Sequence, residues 1–171
     1  MMNRVFTVIG ACALMVGISA CSGEGSVDAK TSNAGQCAAG QAMGASEAGL
    51  PRVKLCVQSG KITRGFTAEL ANTAREQAMG LMFRKSLADD AAMIFPMASP
   101  RQASFWMKNT LIPLDIIFIR SDGTIESIAE NTVPYSEDPV ASGDAVAAVL
   151  ELRGGLTRQL KIKPGDVVRW K

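Results

Sequence analysis

From Leu50 onward, apolar and polar residues alternate in short runs broken by glycine, proline and serine. "RVKLCV" (residues 52–57) alternates with the two-residue period of a half-buried strand, and "FTAELA" (66–71) repeats the pattern after the turn-like Ser59-Gly60 and Arg64-Gly65. Thr73 followed by Glu76 is the signature of a capping box, in which each side chain serves the other residue's backbone N–H. A helix of about two turns should follow and stop near Gly80, because glycine accepts the conformations that end helices. "AAMIFPM" and "ASFWM" read as strands separated by Ser99-Pro100. "LDIIFIR" and "TIESIAEN" flank Ser121-Asp122-Gly123, a hairpin signal. "AAVLEL" is a further strand, Gly154-Gly155 breaks it, and "LTRQLKI" has the period of a short amphipathic helix. Pro164-Gly165-Asp166 then turns the chain into a last strand, "VVRW". Roughly seven strands and two short helices predict an α+β, β-rich domain. Hairpins outnumber long crossovers, so the sheet should be mostly antiparallel and roll into a small half-open barrel.

The texture before Leu50 is different. "MMNRVFTVIGACALMVGISAC" carries one cation, Arg4, and then no charge through Cys21. That is the n-region and h-region of a signal peptide, shorter than the roughly 20 residues a bilayer span needs. It ends in Ile18-Ser19-Ala20-Cys21, which resembles a bacterial lipobox. On this reading residues 1–20 are removed and Cys21 is lipidated. Ser22 then favours the outer membrane of a Gram-negative cell, on its periplasmic side. Ordinary secretion and an uncleaved anchor are the alternatives. Residues 22–49 are dominated by Gly, Ala and Ser without apolar period, so residues 21–49 read as a tether and 50–171 as a single globular domain. Cys12 falls in the h-region, which leaves Cys37 and Cys56 outside the cytoplasm, where disulfides persist. A bridge between them would close a loop of about 20 residues and add about 3 kcal/mol. Two free thiols are the alternative. With no CxxC pair, redox catalysis is not expected.

Composition narrows the chemistry. The chain of 171 residues has a net charge of +2 with Lys and Arg scattered among Asp and Glu, so neither a nucleic-acid stripe nor a polybasic lipid patch is present. It has no histidine, which removes Ser-His-Asp catalysis and histidine-built metal sites. No metal and no cofactor are expected. Met79, Met82, Met93, Met97 and Met107 read as core filler rather than a ligand row.

"REQAMGLMFR" (75–84), "MIFPM" (93–97), "FWMKNTLIPLDIIFI" (105–119), "VLEL" (149–152) and "GD" (165–166) occur in this order. Together they resemble the domain-of-unknown-function 192 family of bacteria and archaea, over about residues 66–170. The resemblance implies a compact, β-rich α+β fold. It implies no activity and no catalytic residue.

Charge within this apolar setting marks the candidate site. In "LDIIFI", Leu114, Ile116 and Phe118 share one face, while Asp115, Ile117 and Ile119 share the other. Both faces are apolar, so Asp115 should be buried and need a partner. "VLEL" repeats the pattern with Glu151 beside Val149. Asp115 and Glu151 could line one cleft with Arg75, Arg84, Lys108 and Asn109. The same residues could equally be an ion-pair network that pins strand ends. Gly154-Gly155 before a helix could receive an anion, or simply turn the chain. Three functions follow. The first is an envelope lipoprotein whose domain binds a small polar ligand, a glycan or an envelope protein at this cleft. The second is a structural or assembly factor. The third is a hydrolase or lyase of cell-wall glycan using Asp115 and Glu151, which needs carboxyl groups about 5–9.5 Å apart.

Overall fold

A computed structural model describes residues 37–171. The expected signal peptide, the expected lipidation site Cys21, Ser22 and the first part of the expected tether lie outside the described residues. Ten strands and two short helices form the α+β architecture expected. The strands are β1 (Ala42–Ala45), β2 (Pro51–Ser59), β3 (Ile62–Leu70), β4 (Ala91–Arg101), β5 (Ser104–Phe105), β6 (Leu114–Ile119), β7 (Ile125–Ala129), β8 (Val140–Ala141), β9 (Val146–Arg153) and β10 (Val167–Arg169). The helices are α1 (Ala74–Met79), between β3 and β4, and α2 (Leu156–Leu160), between β9 and β10. The main sheet runs β1-β2-β3-β4-β9-β6-β7, with β10 also on β2, and every pairing but β3–β4 is antiparallel. Val168 N–H donates to Gly123 and Ile125 N–H to Asp166, so β10 meets the start of β7 at one corner. The sheet therefore rolls without closing.

Two apolar clusters sit on its two faces. One gathers Leu55, Phe66, Ile94, Ile117, Leu150 and Trp170. The other gathers Met93, Phe95, Met107, Leu114, Phe118 and Val149, under the segments that connect the strands. All six residues of β6 are buried, as its doubly apolar pattern demands. Each large aliphatic or aromatic side chain so buried contributes about 1.5–3 kcal/mol.

Several local details depart from the sequence pattern. Gly65 does not turn the chain; it pairs with Cys56 in the middle of a long hairpin. Cys37 is bridged to Cys56, the residue opposite Gly65. A β-carbon at Gly65 would stand 2.8 Å from Lys54 Cε but at an ordinary 3.4 Å from Cys37 Sγ, so glycine here makes room first for the Lys54 side chain. That bridge and β1 place ordered chain upstream of Leu50, within the stretch whose composition reads as tether. β4 continues through Ser99-Pro100, because its pairing with β9 is irregular between Pro96 and Arg101 and needs no donor from Pro100. β5 ends at Phe105, so Trp106 and Lys108 lie outside the strand, Lys108 in the turn closed by Thr110 N–H donating to Met107 O. The capping box of α1 is present as expected, with Glu76 N–H donating to Thr73 Oγ1 and Thr73 N–H to Glu76 Oε2.

Candidate functional site

β6 and β9 pair with Ile116 opposite Glu151 and Asp115 opposite Leu152. Side chains directly opposite share a face, so Glu151 belongs with Ile116, and Asp115 projects to the other side. The two carboxyls are therefore not brought into one cleft.

Asp115 is fully buried and fully bonded. Its Oδ1 accepts from the backbone N–H of Asn131 (2.7 Å) and Gly155 (2.8 Å). Its Oδ2 accepts from Thr157 N–H and Thr157 Oγ1, both at 2.7 Å. The Gly154-Gly155 break does receive an anion at the start of α2, and that anion is the chain's own Asp115. Gly154 permits the approach, because a β-carbon there would stand 2.7 Å from Pro113 Cβ. Asp115 thus ties β6 to the turn at Asn131 and to α2.

Glu151 is buried to 5 % exposure on the opposite face, and no described residue bonds either of its carboxyl oxygens. Burial without compensation favours the neutral acid and pushes its pKa up to about 8. It lines a cavity of about 260 Å³. Phe95, Phe105 and Trp106 supply aromatic surface, Gln77, Ser104 and Thr110 supply polar atoms, and Arg101 is the other charged lining residue. The Met79 to Met82 segment after α1 lines it as well. Gly80 at the end of α1 has a positive φ of 48° and stands against the Phe95 ring, so a side chain here would be strained and would crowd the cavity.

The predicted cations are distributed around this cavity. Arg75 and Arg84 line an adjoining hollow of about 510 Å³, which shares Met79, Gly80 and Met82 with the first. Arg84 is held there by Glu69 at 2.8 Å. Asn109 adopts a left-handed backbone with φ 54°, accepts from Phe83 N–H, and places its Nδ2 3.8 Å from Met82 Sδ. Lys108 lies over the Trp106 ring at 5.1 Å and faces Glu137 at 3.8 Å. Arg75, Arg84 and Glu151 therefore gather around the Met79–Gly80–Met82 segment, with Asn109 at its edge. Lys108 is further out and Asp115 is on the far side of the sheet.

The sequence pattern missed the aromatic surroundings. Phe83, Trp106 and Tyr135 are each at least half exposed. Phe83 N–H donates to Asn109 and Tyr135 N–H to Thr110, so both flank the turn that carries Trp106. Phe83 and Tyr135 hold φ values of 64° and 63°, which bulky residues adopt only when their surroundings impose it. Such strained, exposed aromatics cluster at functional surfaces more than at structural ones. Trp106 within "FWMKN" was the available signal, a large aromatic beside Lys108 and Asn109 at the edge of an apolar run.

Among the described residues no cluster of histidine, cysteine and carboxylate side chains could hold a metal, and no helix is long and apolar enough to cross a membrane.

Two solved structures resemble this domain. A protein of unknown function from Novosphingobium aromaticivorans DSM 12444 is 46% identical, with a TM-score of 0.73, over 75% of this chain and 92% of its own. A candidate transcription regulator from Sinorhizobium meliloti 1021 is 40% identical, with a TM-score of 0.69, over 70% of this chain and 94% of its own. No curated protein matches. The model of the family DUF192, described as "Uncharacterized ACR", matches residues 55–170, the region that carries the sheet, the Asp115 clamp and the Glu151 cavity. The chain belongs to that family, whose function is not established.

Proposed function

We propose that this domain is a ligand-binding module of a lipid-anchored envelope protein and that its binding site is the Glu151 cavity. One observation carries the reading: a buried carboxyl without a hydrogen-bond partner among the described residues lines a cavity that also presents aromatic surface. An unmade hydrogen bond at such a group costs about 1–3 kcal/mol, and a ligand that supplies it recovers that cost. Concave sites with a few convergent polar groups and a perturbed titratable residue are where ligands bind. Arg75 and Arg84 in the adjoining hollow extend the site for a larger ligand. Asp115 is assigned a structural role, because four donors already occupy it. The glycan-hydrolase reading loses its support. Glu151 is the one carboxylate among the residues lining its cavity, whereas that chemistry needs a pair. The scattered positive charge gives no support for a nucleic-acid partner, whatever the Sinorhizobium protein does.

The test is an amide-resonance screen of the oxidised domain against amino acids, amines, monosaccharides and short peptides. Perturbations confined to Gln77, Gly80, Trp106, Thr110 and their neighbours are expected from at least one class. If no compound moves these resonances, the binding reading is wrong. Lipid anchoring through Cys21 has its own test. Cys21→Ala should release the protein from membranes, and persistent association would mean an uncleaved anchor.

A further inference from the structure

The inner surface of the Glu151 cavity is unbalanced in one chemical sense. Gln77 Nε2 donates to Ala71 O at 3.0 Å and to Pro96 O at 2.8 Å. Both donors of that amide are thus committed, and its Oε1 is left for a ligand. Thr110 Oγ1 donates to Lys108 O at 3.3 Å and keeps its lone pairs. Glu151 offers two oxygens with no donor from the described residues. The lining also includes Phe95, Phe105 and Trp106, aromatic surface of the kind that attracts cations, with Lys108 already over the Trp106 ring at 5.1 Å. Three acceptors and aromatic surface match a group with three N–H donors and a positive charge.

We infer that the Glu151 cavity binds a protonated primary amine, with the Glu151 carboxylate as its counter-ion and Gln77 Oε1 and Thr110 Oγ1 as further acceptors. This rests on the cavity being the binding site and names the class of ligand it takes. An ammonium group has three donors to place, whereas a quaternary cation has none. Glu151 is mostly neutral before binding, so as the ammonium group enters, the carboxyl releases its proton to solvent and the charges balance inside the site. The strands either side of Glu151 present Met93 and Ile116 at the paired positions, neither of which titrates. The charged group that also lines the cavity is Arg101, which pairs with Val146 near the other end of β9 and makes its bond to Gln102 O. Arg75, Glu76 and Arg84 face the adjoining hollow instead.

The proton release gives the experiment its sign. Butylammonium chloride is titrated into the intact oxidised domain by calorimetry, in two buffers of different ionisation heat. Binding should tighten by about tenfold per pH unit as pH rises from about 6 toward 8, with close to one proton released at the lower end. Butanol, the neutral isostere, should bind at least about tenfold more weakly. Glu151→Gln should lose about tenfold or more in affinity and show no proton release. Thr110→Val should weaken binding by a smaller factor and keep the pH dependence. Affinity that falls with rising pH, or butanol binding as tightly as butylammonium, overturns the amine assignment. If neutral polyols bind at these residues instead, the site stands and the ligand class is wrong. If neither kind of compound perturbs the lining residues, both fail.

Discussion

Asp115 and Glu151 stand one residue apart in register on paired strands, both buried, and they meet opposite conditions. Asp115 enters a nest of four donors supplied by Asn131, Gly155 and Thr157. Glu151 enters a cavity in which no described residue donates to it. A protein can retain a buried carboxylate because its bonds organise the chain, and Asp115 does this by joining three segments. Retaining a buried carboxyl without bonds costs stability, a cost that a bound ligand would recover. On the proposed reading the pair separates a structural acid from a ligand-binding one within a single strand ladder. Sequence pattern alone allowed the two to line one cleft or to join one ion-pair network, and did not tell them apart.

Removing Asp115 should have the largest effect. Asp115→Ala leaves four donors without an acceptor, the two from Thr157 fully buried, and denaturant unfolding should show a loss of about 3–5 kcal/mol. A loss below about 1 kcal/mol would mean that the clamp does not hold the fold. The opposite sign is expected at Glu151. Its folded pKa is raised from 4.5 to about 8, so between those values the folded chain holds a proton that the unfolded chain has released. Wild-type stability should therefore fall as pH rises from about 4.5 and level off above about 8. Glu151→Gln has no such proton to lose. It should match the wild type in acid and exceed it by up to a few kcal/mol near pH 8, measured as the gap between two denaturation curves. Equal pH dependence in both proteins would remove the distinction between the two acids. The smallest effect belongs to one donor of the clamp. Thr157→Val deletes the Oγ1 bond but keeps the Thr157 N–H bond to Asp115, and it should cost about 1 kcal/mol.

Much of the fold was legible because its determinants are local. The alternation of "LDIIFI" gave two buried faces, Ser121-Asp122-Gly123 gave the hairpin between β6 and β7, and Thr73 with Glu76 gave the cap of α1. The need of Asp115 for partners was also legible, since a carboxylate in that run had to be bonded. What a strand pattern cannot state is which face of one strand aligns with which face of its neighbour. The pairing of Ile116 with Glu151 decided that, and it is a long-range property of the sheet. Gly65 shows the same limit, because a glycine inside a strand and a glycine in a turn look alike in sequence. The left-handed backbone of Phe83 and Tyr135 is imposed by hydrogen bonds to Asn109 and Thr110 from distant parts of the chain. Nothing in their own neighbours announced it.

The central claim is that Glu151 waits, neutral and unpartnered, in a cavity meant for something else. The most direct measurement is a carbon-13 titration of the Glu151 side-chain carboxyl in the oxidised, ligand-free domain, assigned by its loss in Glu151→Gln. A midpoint near 8 is expected. A midpoint near 4.5 would contradict the account, because it would mean that the carboxyl already has its charge satisfied and that the cavity has no unmet bond to offer a ligand.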